Sequence, residues 1–197
     1  MLALTLWPEW PWTIDLPNPD GTDYHPLAKR LENREWEIPL NQWIALHAGK
    51  YIGGRKGRVA SDEGCESVSL MGQRAGFEAR CMTDYKDGGA VILRPFVGAW
   101  GAATALSTSG GMIMRPIVTS AIIGIFKVTR YLRPGETDES DGLRGWKVPD
   151  QIGNVFEYKR LNKPVPCDGK QGLWQVPADI LAKCHEVGTE RSDSGTR

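Results

Sequence analysis

The feature that most constrains the fold is the segment at residues 120–131, which reads Ser-Ala-Ile-Ile-Gly-Ile-Phe-Lys-Val-Thr-Arg-Tyr. Its first half is apolar without interruption, and its second half alternates between apolar and polar side chains. A strand covered on both faces gives the first pattern, and a strand leaving the core gives the second. Residues 43–46 are also apolar on both faces. We therefore predict that residues 121–128 and 43–46 form central, buried strands.

Shorter apolar runs between turn residues predict three further strands, at residues 2–6, 154–161 and 172–176. A helix is predicted at residues 61–80, because Ser61, Asp62 and Glu63 resemble an N-cap with an acidic first turn. A closing helix is predicted at residues 177–184, where Pro177 suits the first helical position. Short strands with few helices indicate an α+β fold, in which a small mixed barrel carries peripheral helices.

The length of 197 residues suits a single domain. We assign this domain to residues 1–185. Residues 186–197 are polar throughout most of their length, and we predict that they form a disordered tail.

The charge balance limits the classes of partner. Twenty-four basic and 24 acidic residues give a net charge of zero, whereas proteins that grip long nucleic acids through phosphates are usually basic. Any nucleic-acid contact is therefore expected to be local. The four cysteines form no C-x-x-C pair, which argues against a zinc site. No apolar run is long enough to cross a membrane, and we expect a cytoplasmic protein without cofactor or metal.

The strongest candidates for ligand binding or catalysis lie close together in the segment Lys29-x-x-Glu32-Asn33-Arg34-x-Trp36. Lysine and arginine bind phosphate, a carboxylate or an amide hydrogen-bonds a base edge, and an indole stacks on a base. Each also has a structural alternative. Lys29 and Glu32 can form an exposed ion pair, Asn33 can cap a turn, and Arg34 can clamp the segment to the barrel.

A second group of candidates follows. His47 ends the strand predicted at residues 43–46 and has a pKa range that suits proton transfer, although a lone strand histidine is more often a core residue. Residues 49–58 contain four glycines and four basic residues without an acid. Lys50, Arg55 and Lys56 in this segment are candidate phosphate ligands, and a solvated loop is an equally good interpretation.

These residues carry a family resemblance. Several separated motifs resemble, in the right order, those of the ASCH domain, a branch of the PUA-like fold. The opening motifs are Thr5-Leu6-Trp7, Lys29-x-x-Glu32-Asn33-Arg34-x-Trp36 and Leu46-His47-Ala48-Gly49-Lys50; the later ones are Ala121-Ile-Ile-Gly124-Ile-Phe, Leu161-Asn-Lys-Pro164-Val-Pro166 and Gly169-Lys-Gln-Gly172-Leu-Trp174. The similarity is poorest over residues 52–116, which we interpret as an insertion.

The resemblance implies a PUA-like mixed barrel of five or six strands. It also implies a polar cleft beside the barrel that holds RNA, a nucleotide or a modified nucleobase, with Trp7 joining the residues above. Some ASCH members cut RNA, and one bacterial branch hydrolyses N4-acetylcytidine with a lysine, a threonine and a glutamate. Glu32 stands where that branch has threonine, and Ala28 replaces the usual glycine before the lysine. The missing hydroxyl favours binding without turnover. A hydrolase acting on RNA or on a modified nucleoside through Lys29, Glu32 and His47 is the alternative.

Overall fold

The structure is a computed structural model that describes residues 1–6, 10, 14, 28–50, 77–82, 90–95, 113–116, 118–138, 140, 143 and 146–189. In the three ranges between 77 and 116, the description covers the backbone alone. The remaining residues include Trp7, Arg55 and Lys56, so those three predicted ligand-binding residues lie outside the described part of the chain.

Six strands form one mixed sheet that curls into a half-barrel. In chain order they are β1 (Leu2–Leu6), β2 (Leu31–Arg34), β3 (Trp43–Ala48), β7 (Ala121–Leu132), β8 (Ile152–Pro166) and β9 (Leu173–Gln175). Their spatial order is β2-β8-β7-β3-β1-β9. β1 and β3 run parallel, and every other neighbouring pair is antiparallel.

The two central strands were predicted correctly. β7 and β3 occupy the middle of the sheet, and Ile122 and Ile123 are buried. Both faces of this region are covered, which explains the uninterrupted apolar pattern. Leu4, Leu46 and Phe126 belong to the core on one face.

The other face is covered by a helix, α1 (Ala178–Val187). Its residues Ile180 and Leu181 pack against the cluster that contains Ile122 and Trp174. Pro177 is the N-cap, and the helix begins one position after the predicted first helical residue, at Ala178. The helix also extends past residue 185, the predicted end of the domain, and Thr189 forms a bridge with Leu161.

A second sheet consists of β4 (Phe77–Met82), β5 (Ala90–Pro95) and β6 (Ile113–Pro116), in that order. The helix predicted at residues 61–80 is therefore wrong at its C-terminal end. Phe77 follows a glycine, and residues 77–82 pair antiparallel with Ala90–Pro95, so cross-strand pairing overrides the helical pattern there. Residues 61–76 lie outside the described part of the chain. Within that part, no helix is long and apolar enough to cross a membrane.

Candidate functional site

The cleft is a concavity of about 510 Å³ at one end of the six-stranded sheet. We use this name for the space lined by Thr5, Leu6, Arg34, His47, Gly49, Lys50, Ser120 and residues 168–172. Its volume falls in the range of roughly 300–1,000 Å³ that is usual for small-molecule sites.

Backbone hydrogen bonds hold the rim of the cleft together where the strands end. The amide of Gly49 donates to Leu6 O, the amide of Ser120 donates to Gly49 O, and the amide of Cys167 donates to Ser120 O. The distances are 2.8, 3.1 and 2.9 Å. These bonds join the chain segments that leave β1, β3 and β8 and enter β7. The cleft therefore rests on the rigid part of the fold.

Charged side chains around the cleft are mainly cationic. Arg34, Lys50 and Lys170 line it, and Asp168 is the one acidic residue among the described lining residues. Lys50, Asp168 and Lys170 are exposed to solvent. Because the whole chain has a net charge of zero, this excess of positive charge is a local property. It favours an anionic ligand.

Arg34 is oriented by a carboxylate behind it. Its guanidinium nitrogen Nη2 lies 3.0 Å from Glu32 Oε1, and its side chain is 29% exposed. The Nε atom is buried, and no hydrogen-bond partner for it occurs in the described structure. Glu32 therefore fixes one side of the guanidinium, while the partly exposed side chain lines the cleft.

Lys29 and Glu32 do not line the cleft, although they were predicted to act there. Lys29 Nζ lies 2.6 Å from Glu32 Oε2 and 4.1 Å from the centroid of the Trp10 ring. Lys29 is 2% exposed and Glu32 is 7% exposed. We call Trp10, Lys29 and Glu32 the sealed cluster. Lys29 lies in the segment that leads into β2 and Glu32 lies within β2, not on the helical turn that their spacing suggested.

Asn33 and Trp36 also lie away from the cleft. The Asn33 amide donates to Trp146 O at 2.7 Å and accepts from the Val148 backbone amide at 2.9 Å. These two bonds fasten the segment before β8 to β2. Trp36 is 37% exposed at the turn after β2.

His47 lies at the floor of the cleft and is 1% exposed. Its Nδ1 atom is 3.2 Å from Thr5 Oγ1, and its Nε2 atom is 3.1 Å from Cys167 O. The Trp174 ring meets the imidazole edge-on, with 5.6 Å between the centroids. Burial lowers the pKa of His47 below its ordinary value of 6.5, while the Cys167 carbonyl and the Asp168 carboxylate oppose that shift. The ring therefore forms a fixed part of the floor of the cleft.

Residues 168–172 pass very close to this ring. A Cβ atom at Gly169 would lie less than 3.0 Å from three atoms of the His47 imidazole. Glycine is therefore needed for the segment to lie against the ring. The close approach places Lys170 and Asp168 beside the cleft.

Sequence reasoning missed five polar side chains of the lining: Thr5, Ser120, Asp168, Lys170 and Gln171. A signal existed for three of them, because residues 168–172 form a polar run with two glycines directly after a strand. Loops of this kind commonly carry binding residues. Of the predicted site residues, the structure brings Arg34, His47 and Lys50 together at the cleft. Among the described residues, no group of three His, Cys, Asp or Glu side chains could hold a metal ion.

Comparison with models of protein families and with curated proteins gives no match for this chain.

Proposed function

We propose that this chain is an ASCH-type binding protein of PUA-like fold that holds a nucleotide or a short single-stranded RNA segment in the cleft. The observation that carries the proposal is the collection of Arg34, Lys50 and Lys170 around one concavity in a chain without net charge. Phosphate groups are ligands for such a cationic set. A cleft of about 510 Å³ suits a nucleotide unit better than a duplex.

Binding without turnover is the form of this proposal that the contacts favour. The hydrolase alternative requires Lys29, Glu32 and His47 to reach a substrate. The first two are paired with each other in the sealed cluster. Both nitrogens of the His47 ring lie within hydrogen-bonding distance of protein oxygens. Glu32 then acts indirectly, because its second oxygen orients Arg34 toward a ligand.

The test is a titration of the protein with a single-stranded uridine oligonucleotide that has hydroxyl ends, at two salt concentrations. Lys50→Ala and Lys170→Ala should each weaken binding by about fivefold. Each should also reduce the slope of log affinity against log salt by about 0.7, the share of one phosphate contact on a single strand.

Lys163→Ala is the matched control, because Lys163 is an exposed lysine of β8 outside the cleft. It should leave the affinity and the salt slope unchanged. Equal losses in all three variants would show diffuse charge attraction and contradict a site at the cleft. Analysis of the oligonucleotide, and of modified nucleosides incubated with the protein, tests the hydrolase alternative directly, since a binder releases no product.

A further inference from the structure

Four hydrogen-bond contacts link the side chains of His47, Thr5 and Trp174 to one another and to two backbone carbonyls. The Trp174 indole Nε1 donates to Thr5 Oγ1 at 3.0 Å, and the Thr5 hydroxyl donates to Lys170 O at 2.6 Å. His47 Nδ1 lies 3.2 Å from the same hydroxyl oxygen, and His47 Nε2 lies 3.1 Å from Cys167 O. The imidazole therefore contacts Cys167 O directly and is linked to Lys170 O through the Thr5 hydroxyl, so it is connected to the chain on both sides of Asp168.

The number of protons decides whether this network can be complete. A carbonyl oxygen accepts only, so Nε2 must carry a proton to bond with Cys167 O. In the neutral ring Nδ1 is then a bare acceptor that faces Thr5 Oγ1. The single hydroxyl proton of Thr5 can serve either Nδ1 or Lys170 O, but not both.

The charged imidazolium removes this conflict. Its Nδ1–H donates to Thr5 Oγ1, which also accepts from Trp174, and the Thr5 proton stays on the short bond to Lys170 O. Every contact in the network then has one donor and one acceptor. The geometry of the heavy atoms is therefore matched to the protonated ring.

We propose that the cleft binds its anion together with a proton, taken up by His47, which acts as a positioning residue that fastens residues 167–172 as the wall of the site. This inference rests on the proposed anion-binding role of the cleft and adds its regulation by pH. Because His47 is only 1% exposed, it acts on the ligand without direct contact. It acts by fastening residues 167–172 and through the charge of its ring.

The surroundings of the ring set the direction of the effect. Its neighbours on β1, β7 and β9, namely Thr5, Ile122 and Trp174, carry no titratable charge. The groups with charge or a titratable proton are the Cys167 thiol and Asp168 beside the ring, and Lys170, Lys50 and Arg34 around the same cleft. Burial raises the pKa of the Cys167 thiol, which keeps it neutral in mild acid.

Without a ligand, burial dominates, because it lowers the pKa of His47 below 6.5. The ring is then mostly neutral at neutral pH. An anion in the cleft stabilises the imidazolium by Coulomb attraction and so raises the pKa of the ring. By linkage, affinity for the anion must rise as the pH falls through the pKa of the bound state, and it levels off below the pKa of the free state.

The experiment uses two probes whose own charge is constant in mild acid: sulfate and the uridine oligonucleotide with hydroxyl ends. Calorimetry in two buffers of different ionisation enthalpy measures both affinity and proton uptake, at about pH 5.5 and about pH 7.5. We expect both probes to bind about three- to tenfold more tightly at the lower pH, with up to one proton taken up per ligand. Proton NMR should show the His47 ring signals moving toward their charged positions when sulfate is added.

Three variants separate the proposed coupling from a merely structural role. His47→Gln should bind sulfate with an affinity that no longer depends on pH. Thr5→Val, which lacks the acceptor for Nδ1–H, should show a reduced dependence, and Thr5→Ser should restore it. His185→Gln is the control, because His185 lies exposed on α1 away from the cleft, and it should behave as wild type.

Each result bears on a different claim. Oligonucleotide binding that is independent of pH, or a pH dependence that persists in His47→Gln, overturns the coupling and leaves the proposed function standing. Sulfate binding with proton uptake, but without oligonucleotide binding, supports the coupling and overturns the proposed function. If neither probe binds at either pH, both claims fail.

Discussion

Residues 29–34 supply charged side chains to both the sealed cluster and the cleft, but the charges have opposite roles in the two regions. Lys29 and Glu32 are closed off together beneath Trp10. Two residues farther along β2, Arg34 lines the cleft with its side chain 29% exposed. Glu32 connects the two regions, because one oxygen binds Lys29 and the other binds Arg34, which lines the cleft.

Exposure, and not residue type, decides whether a charged side chain in these two regions stabilises the fold or is available to bind a ligand. A buried ion pair cannot offer its charge to a ligand without losing its partner, and an unpaired charge in such a place is costly. Lys50 and Lys170 are exposed and do not carry that cost. Removing a charge should therefore lower stability at the sealed cluster and lower affinity at the cleft.

The largest effect is expected at Lys29. Lys29→Met removes the ammonium group from Glu32 Oε2, where the carboxylate is only 7% exposed. We expect the free energy of unfolding to fall by about 3 kcal/mol, measured by urea denaturation. Lys163→Met, at an exposed position, should change it by no more than about 0.5 kcal/mol.

The double variant Lys29→Met, Glu32→Gln sharpens this test. Because it removes both charges, it should recover more than half of the loss. A loss below about 1 kcal/mol in the single variant would mean that water reaches the carboxylate, and the two regions would then not differ as we describe.

The sheet was more predictable from sequence than the site. The pattern of β7 is local, because an apolar run that turns into an alternation reports burial on two faces and then on one. Residues 77–80 were mispredicted as helix, because the strand Phe77–Met82 forms by pairing with Ala90–Pro95, which lies outside the segment whose pattern predicted the helix. The curl of the sheet follows from such pairings as well.

The depth of each candidate side chain was not predictable from the sequence. Lys29 and Arg34 lie five residues apart and are both cationic, yet only Arg34 lines the cleft. What separates them is the cover that Trp10 provides, from a distant point in the chain. Likewise, Thr5 meets Lys170 across 165 positions of sequence. Contacts of this kind arise from topology, which spacing alone does not reveal.

The next largest effect is expected at Gly169, in the wall of the cleft. Gly169→Ala forces a Cβ atom against the His47 ring, so we expect a loss of about 2 kcal/mol from overpacking. Gly172→Ala is the comparison, because Gly172 has open space around it but a φ of 72°. Its cost should be about 1 kcal/mol, from the left-handed backbone alone.

Combining Gly169→Ala with His47→Ala tests the origin of that loss. Removing the ring should remove most of the additional loss in unfolding free energy that Gly169→Ala causes. A double-mutant cycle measures this coupling. If Gly169→Ala is no worse than Gly172→Ala, the wall does not lie firmly against His47.

Replacing Arg34 should weaken ligand binding strongly but lower stability only slightly. Arg34→Leu leaves Glu32 paired with Lys29 and removes a partly exposed contact, so the free energy of unfolding should fall by about 1 kcal/mol or less. Affinity for the uridine oligonucleotide should fall by about tenfold, since a guanidinium-to-phosphate contact is lost. Arg133→Leu removes an exposed arginine paired with Glu37 outside the cleft and should change stability alone. Equal binding losses in the two variants would remove Arg34 from the site.

The smallest effect concerns His47 and emerges only in acid. Burial holds the pKa of the folded ring below 6.5, the ordinary value that the unfolded chain is expected to show. Between these two pKa values the unfolded chain binds more protons, so its free energy falls relative to the folded state. The contribution of the neutral ring to stability is therefore complete above pH 6.5 and is lost as the pH falls through the folded pKa. His47→Gln has no such group, and its unfolding free energy should decline less steeply below pH 6.5 than that of the wild type. Urea denaturation at a series of pH values measures both slopes. Parallel slopes would show that the pKa of the His47 ring is the same in the folded protein as in the unfolded chain. The cleft would then lack the buried histidine on which its proton coupling depends.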